Sequence, residues 1–197
     1  IREARKVFIT EFGGTLFTIA RDVKFQLEFN PHHVKSYRLV GYENRLLNAE
    51  DFNDDSKDAG EMGSGHTVTA LYEIVPAGSD EEAPSVDPLK YQQERLFEGK
   101  HTKELLTIKL RYKQPDGYKS RLFEKVVINR PAGSTSENFR FSAAVASFGM
   151  LLRGSEHMGK SSVGSILELA KNAKALDEEV YRAEFIQLVK TVGDLGL

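Results

Sequence analysis

A chain of 197 residues, 40% hydrophobic and 28% charged, is long enough to bury a core of its own. Its formal charge of −2 provides no field to attract a nucleic-acid backbone. It has no cysteine, so disulfides, thiolate metal sites and cysteine nucleophiles are excluded together.

No apolar run reaches the roughly 20 residues a membrane span requires. No basic stretch followed by an apolar one opens the chain as a signal peptide would. Ile1 is not a natural start, and the chain reads as a fragment. Within residues 3–12, Ala4, Val7, Phe8 and Phe12 share a helical face, and Gly13-Gly14 stops the helix. A helix with no strand before it reads as the last element of something upstream.

Strands follow. Val23, Phe25, Leu27 and Phe29 alternate with Lys24, Gln26 and Glu28, which places one row on a core and the other in water. Asn30-Pro31 ends this strand, because proline donates no ladder hydrogen bond. Residues 34–42 and 67–75 predict two more strands, the second apolar on both faces and so expected to be central. Leu106, Ile108, Leu110 and Tyr112 alternate with Thr107, Lys109, Arg111 and Lys113, and Gln114-Pro115-Asp116-Gly117 turns the chain into a return strand over 121–128. Two polar excursions, 50–65 and 77–88, read as loops, with the glycines from Gly60 to Gly65 making a turn.

Beyond Pro131 the period changes. Phe141, Ala144, Val145, Phe148, Leu151 and Leu152 predict one helix, and Val163, Ile166, Leu167 and Ala170 a second. Tyr181, Phe185, Leu188 and Val192 predict a third, with Asp177 as its N-cap and Glu178 and Glu179 in its first turn. Strands first and helices later indicate an α+β architecture.

Several patterns suggest chemistry. Gly154-Ser-Glu-His-Met-Gly159-Lys160-Ser161 satisfies the phosphate-loop spacing, in which main-chain amides cradle phosphates, lysine reaches the outer ones and the hydroxyl holds Mg²⁺. The stretch before it, 139–153, is spaced as a helix where a buried strand is required. Only 36 residues follow Ser161, too few for the parallel strands such folds need. Asp51, Asn53 and Asp55 have the first spacings of a calcium loop, within the acidic set Glu50, Asp51, Asp54, Asp55, Asp58 and Glu61. Ser56 stands where that loop needs glycine and Met62 where it needs glutamate, so a solvated acidic loop is the reading preferred.

Lys109, Arg111, Lys113, Lys119, Arg121 and Lys125 read as a charged outer sheet face that also discourages edge association. His32, His33, His66, His101 and His157 lack ligand-like spacing. Ser64 lacks the G-x-S-x-G frame of a nucleophile elbow. No catalytic, cofactor-binding or metal-binding residue is assigned from these patterns.

Five blocks together resemble the C-terminal domain that follows a von Willebrand factor type A domain in bacterial proteins. They are EARKVFITEFGGTLFTIARDVKFQLEFNP (3–31), YRLVGYENRLLNAEDFNDDSKDAGEMGSGHTVTALYEI (37–74), ELLTIKLRYKQPDG (104–117), FRFSAAVASFGMLLRGS (139–155) and YRAEFIQLV (181–189). The resemblance implies that residues 1–14 are the terminal helix of the A domain and 15–197 a separate α+β domain, β-rich over 15–130 and helical over 137–197. The A domain's D-x-S-x-S metal site does not occur in this chain, so no metal ligand carries over. In the family, the stretch like 153–161 is a loop between helices with no required lysine.

The expected fold is α+β: a β-sandwich-like antiparallel sheet body over 16–128, followed by a three-helix C-terminal segment packed on it. The resemblance also implies strands added from outside this stretch, which would leave a sheet edge unpaired. The expected function is a non-enzymatic binding or structural module with no cofactor, supporting a neighbouring metal-dependent A domain in protein–protein interaction at the bacterial envelope. Its partners would be that domain and a protein ligand, with no nucleic acid and no membrane span. The competing readings are a nucleotide-binding enzyme using Lys160 and Ser161 and a calcium-stabilised adhesion domain using Asp51 and Asp55.

Overall fold

A computed structural model of the chain describes residues 17–42, 46–81, 103–131, 133–173, 177 and 180–196. The helix expected at 3–12, His101 and Glu178-Glu179 lie outside the described residues. The chain divides into two compact units, Ile1–Arg130 and Pro131–Leu197, each described by itself.

Among the described residues, the first unit contains six antiparallel strands, β1 (Thr18–Phe29), β2 (Val34–Val40), β3 (Gly60–Gly63), β4 (Leu71–Pro76), β5 (Glu104–Lys113) and β6 (Arg121–Ile128), with a 3-10 turn at Ala49–Phe52. They form a four-stranded sheet, order β3-β1-β5-β6, and a two-stranded sheet, β2-β4. Register fixes the faces, because residues directly opposite share a side. Phe25 opposes Leu110, which opposes Phe123; Phe29 opposes Leu106, which opposes Val127. These residues and Leu27 make the apolar face.

At one end the small sheet covers that face. The Phe29 ring lies 4.4 Å from Tyr37 and 5.9 Å from Tyr72, between centroids. At the other end Phe25 and Phe123 remain more than half exposed. Among the described residues strand β6 is one margin of the sheet, with Leu122, Phe123, Val126 and Ile128 exposed along it.

The hairpin of β5 and β6 forms as its alternation predicts, closed by the Gly117 amide donating to the Gln114 carbonyl at 2.9 Å. Three expectations need correction. The segment ending in β4 is not central: it pairs with β2, and β1 and β5 hold the middle of the larger sheet. Its apolar residues reflect packing between the sheets, through Tyr72, rather than burial within one. Gly60–Gly63 is a strand and not a turn, since its backbone pairs with β1 at Thr18, Ala20 and Val23. Lys24, expected in water, is only 4% exposed.

The second unit contains α1 (Glu137–Leu152), α2 (Val163–Lys171) and α3 (Tyr181–Asp194). Ala144, Phe148, Ile166, Ala170, Val189 and Val192 form its buried core. Ser136 caps α1, its side chain accepting from the Phe139 amide at 3.1 Å. Asp177 does accept amides of α3, from Arg182 at 3.1 Å and Ala183 at 3.0 Å, but from three residues upstream of the cap position. Val180 occupies that position at φ +64°, which lets the chain fold back so that the carboxylate reaches the helix end.

Close approach of α2 and α3 depends on Gly193, where an added Cβ would lie 2.9 Å from Cγ1 of Val163. Valine is stiff at χ1 and cannot swing aside cheaply. Gly193→Ala should therefore cost about 1–3 kcal/mol by overpacking, despite alanine's better helix propensity. Thermal unfolding followed by circular dichroism reads the loss, and an unchanged or higher midpoint would refute the close contact.

Candidate functional site

The most developed polar cluster of the first unit begins at a fault in β1. Aspartate is a poor strand former, and Asp22 adopts φ +49°, with the pairing register shifting on either side of it, between Ala20 and Val23 against β3 and between Arg21 and Lys24 against β5. Such bulges re-aim side chains. Here the Asp22 carboxylate accepts from Lys113 Nζ at 2.7 Å and from the Ala59 amide at 3.1 Å.

Lys113 also donates to the Asp55 carbonyl at 2.7 Å. Lys24, two residues beyond the bulge, donates to the carbonyl of Asp51 at 3.0 Å and to that of Asp54. Two ammonium groups from the sheet thus grip three main-chain oxygens of the acidic loop.

Phe52 anchors the same loop through its side chain. It is buried, with the Arg111 guanidinium 5.5 Å from its ring centre. Asp55 accepts from the Ser120 amide at 3.1 Å, which ties the loop to the start of β6. Asp54 closes on the amide and hydroxyl of Ser56, and Asp51 accepts from Asn48 Nδ2 at 3.1 Å. The carboxylates therefore disperse. Among the described residues, no three acidic or histidine side chains gather to hold a metal ion.

The solvated acidic loop of the sequence reading is in fact fastened down. The basic row on β5 is likewise not an open outer face, because Arg111 and Lys113 are occupied by the loop. Register puts Arg121 opposite Tyr112 and Lys125 opposite Ile108, on the other side of the sheet from Lys109, Arg111 and Lys113. The basic residues form no continuous surface for phosphates.

Three carboxyl groups of the cluster titrate below the ordinary aspartate value of 3.8. Asp22 is held down first by its bond from Lys113, with burial opposing. Asp54 is held by Ser56 and Asp55 by Ser120. A depressed folded-state pKa means that the unfolded chain binds protons first as pH falls. The stabilisation is complete above the ordinary carboxylate range and is lost as pH drops through the lower folded values. Denaturant midpoints should thus rise between about pH 2 and pH 5 and then level, and Asp22→Asn should flatten that rise.

The phosphate-loop pattern divides differently. Helix α1, not a strand, enters it. Gly154 sits at φ +58°, with its amide donating to Leu151 and that of Ser155 to Met150, each at 3.0 Å, the paired bonds of a Schellman helix end. The Met158 amide donates to Ser155 and that of Ser161 to Met158. Several amides of the segment are thus spent on its own turns. Lys160 is exposed, and Ser162 caps α2 through a reciprocal bond pair with Ser165.

His32 and His33 lie in the turn after β1, with His33 Nδ1 3.1 Å from Asn129 Nδ2, while His66 follows β3 and His157 lies in the loop before α2. Ser64 donates its amide to Phe17 at 2.8 Å beside β3. Sequence reasoning missed Asp22, Lys24 and Phe52. The available signal was an aspartate interrupting an alternating strand, which marks a bulge.

Comparison with known proteins gives a family. Its model, described as "Uncharacterized protein YfbK, C-terminal", matches residues 14–195. The chain belongs to the YfbK C-terminal family. The chain is 43% identical over 194 residues to "Uncharacterized protein YfbK" of Escherichia coli strain K12, covering 96% of this chain and 32% of that protein. It thus spans about a third of the length of the curated relative it matches. No solved structure gives a significant match. Among the described residues of this YfbK-family chain, no helix is long and apolar enough to cross a membrane.

Proposed function

We propose that this YfbK-family domain is a non-enzymatic docking module that supports a neighbouring von Willebrand A domain of the same longer protein at the bacterial envelope. The observation that carries the reading is the half-covered apolar sheet face: Phe29 is shielded by the small sheet, while Phe25 and Phe123 stand exposed. Apolar area of this kind on a domain marks a surface for another protein. The family description, which places the matching stretch at the C-terminal part of a larger protein, supports a partner in the same chain.

The test is amide exchange with and without the A domain joined to this chain. Slower exchange in β6 and around Phe25 is expected in the longer protein; identical rates throughout would refute the docking role. Addition of Mg-ATP should leave the melting temperature unchanged. A rise that disappears in Lys160→Ala would favour the nucleotide reading instead. Cell fractionation tests the envelope assignment, and recovery of the longer protein with the cytosol would overturn it.

A further inference from the structure

We infer that the acidic loop 49–59 holds a built-in cation site whose occupant is the ammonium group of Lys24, so that order in the loop needs no metal ion. Lys24 is 4% exposed, and burying a charge so far costs several kcal/mol unless oxygens replace its water. The replacement oxygens are the Asp51 carbonyl, 3.0 Å away, and the Asp54 carbonyl, both from a loop that carries an excess of acids. Main-chain oxygens turned inward around positive charge are how oxygen-rich loops hold metal ions.

The neighbouring Asp55 carbonyl receives a second ammonium, Lys113, whose own counter-charge is Asp22. Asp51, Asn53 and Asp55 keep the spacing of a calcium loop, yet the Asp55 carboxylate accepts from the Ser120 amide and that of Asp51 from Asn48. The positive charge comes from Lys24 of β1 and Lys113 of β5, with Lys57 of the loop itself 3.7 Å from the Asp51 carboxylate. A lysine is a permanent ligand: its charge stays against the loop oxygens at every calcium concentration.

Melting of the whole chain tests this. Wild-type protein should melt at the same temperature in a chelator and in millimolar calcium. Lys24→Ala removes the three distal methylenes and the ammonium, which together have the size of n-propylammonium. That variant should melt several degrees lower, and n-propylammonium should raise its midpoint saturably, with no such rise for tetramethylammonium at equal ionic strength or for wild type. Should Lys24→Ala fail to fold, Lys24→Met decides, since it keeps the length and deletes the charge; it should melt below wild type. A wild-type midpoint that falls on chelation, equal effects of the two ammonium salts, or a Lys24→Met protein as stable as wild type would each overturn the inference.

Discussion

Replacing Asp22 by alanine is expected to cost about 3–5 kcal/mol, the loss that follows when one partner of a desolvated ion pair is removed. The pair qualifies, because the side chains of Lys113 and Asp22 are 14% and 12% exposed and 2.7 Å apart. Without the carboxylate, Lys113 keeps the Asp55 carbonyl but loses its counter-charge, and the Ala59 amide loses its acceptor. Alanine at φ +49° adds strain that aspartate tolerates better. Urea unfolding followed by far-ultraviolet circular dichroism measures the change. The double variant Asp22→Gly/Lys113→Met should recover much of the loss, because neither charge is then stranded. A single-variant cost below about 1 kcal/mol would mean that the bulge does not anchor the loop.

The second large effect lies in the helical unit. Phe148→Ala should destabilise that unit by about 3–5 kcal/mol, the usual range for emptying an aromatic site in a core. Phe148 is buried and meets Phe185 edge to face at 5.5 Å and 90°, a geometry that adds to its apolar burial. Phe148→Leu keeps most of the volume and should lose less than half as much. Equal losses for the two variants would place the cost in the aromatic contact rather than in the cavity. Denaturant titration monitored by helical ellipticity distinguishes them.

Elements whose local pattern and tertiary environment agree were legible in the sequence. The β5–β6 hairpin alternates because one of its faces is apolar, and its turn carries proline and glycine where the backbone needs them. The three helices were legible because Phe148, Ile166 and Val192 each recur at helical spacing with apolar neighbours on their own helix. Leu188, expected on the apolar face of the third, is nonetheless exposed, and Val189 is buried in its place. The predicted antiparallel α+β class stands with them. Strand β3 was not legible, since glycines describe a backbone that is permitted many conformations and forced into none. Lys24 was misread for a different reason. Alternation assigns it to the outer face of β1, which it does occupy, but that face is covered by a loop from elsewhere in the chain. Periodicity reports which side of a strand a residue is on, not whether something lies over that side.

The same limit applies to the acidic loop. Its carboxylates have the spacing of an ion-binding segment, and spacing alone cannot say that the balancing charge arrives on lysines of two strands. Nor could it separate Gly154 as a helix terminator from Gly154 as the first residue of a phosphate cradle, since both roles require a glycine at positive φ. The bonds to Met150 and Leu151 decide between them.

The position of β6 constrains how copies of this protein can meet. Two such margins joined antiparallel about a two-fold axis must set one residue opposite its own twin. The alignments that engage most of the strand centre on Glu124 or Lys125, and either sets like charges against each other across the seam. A ribbon of unlike sequence meets no such repulsion. The domain can thus display an apolar rim at high concentration with pairing to its own twin along that rim disfavoured.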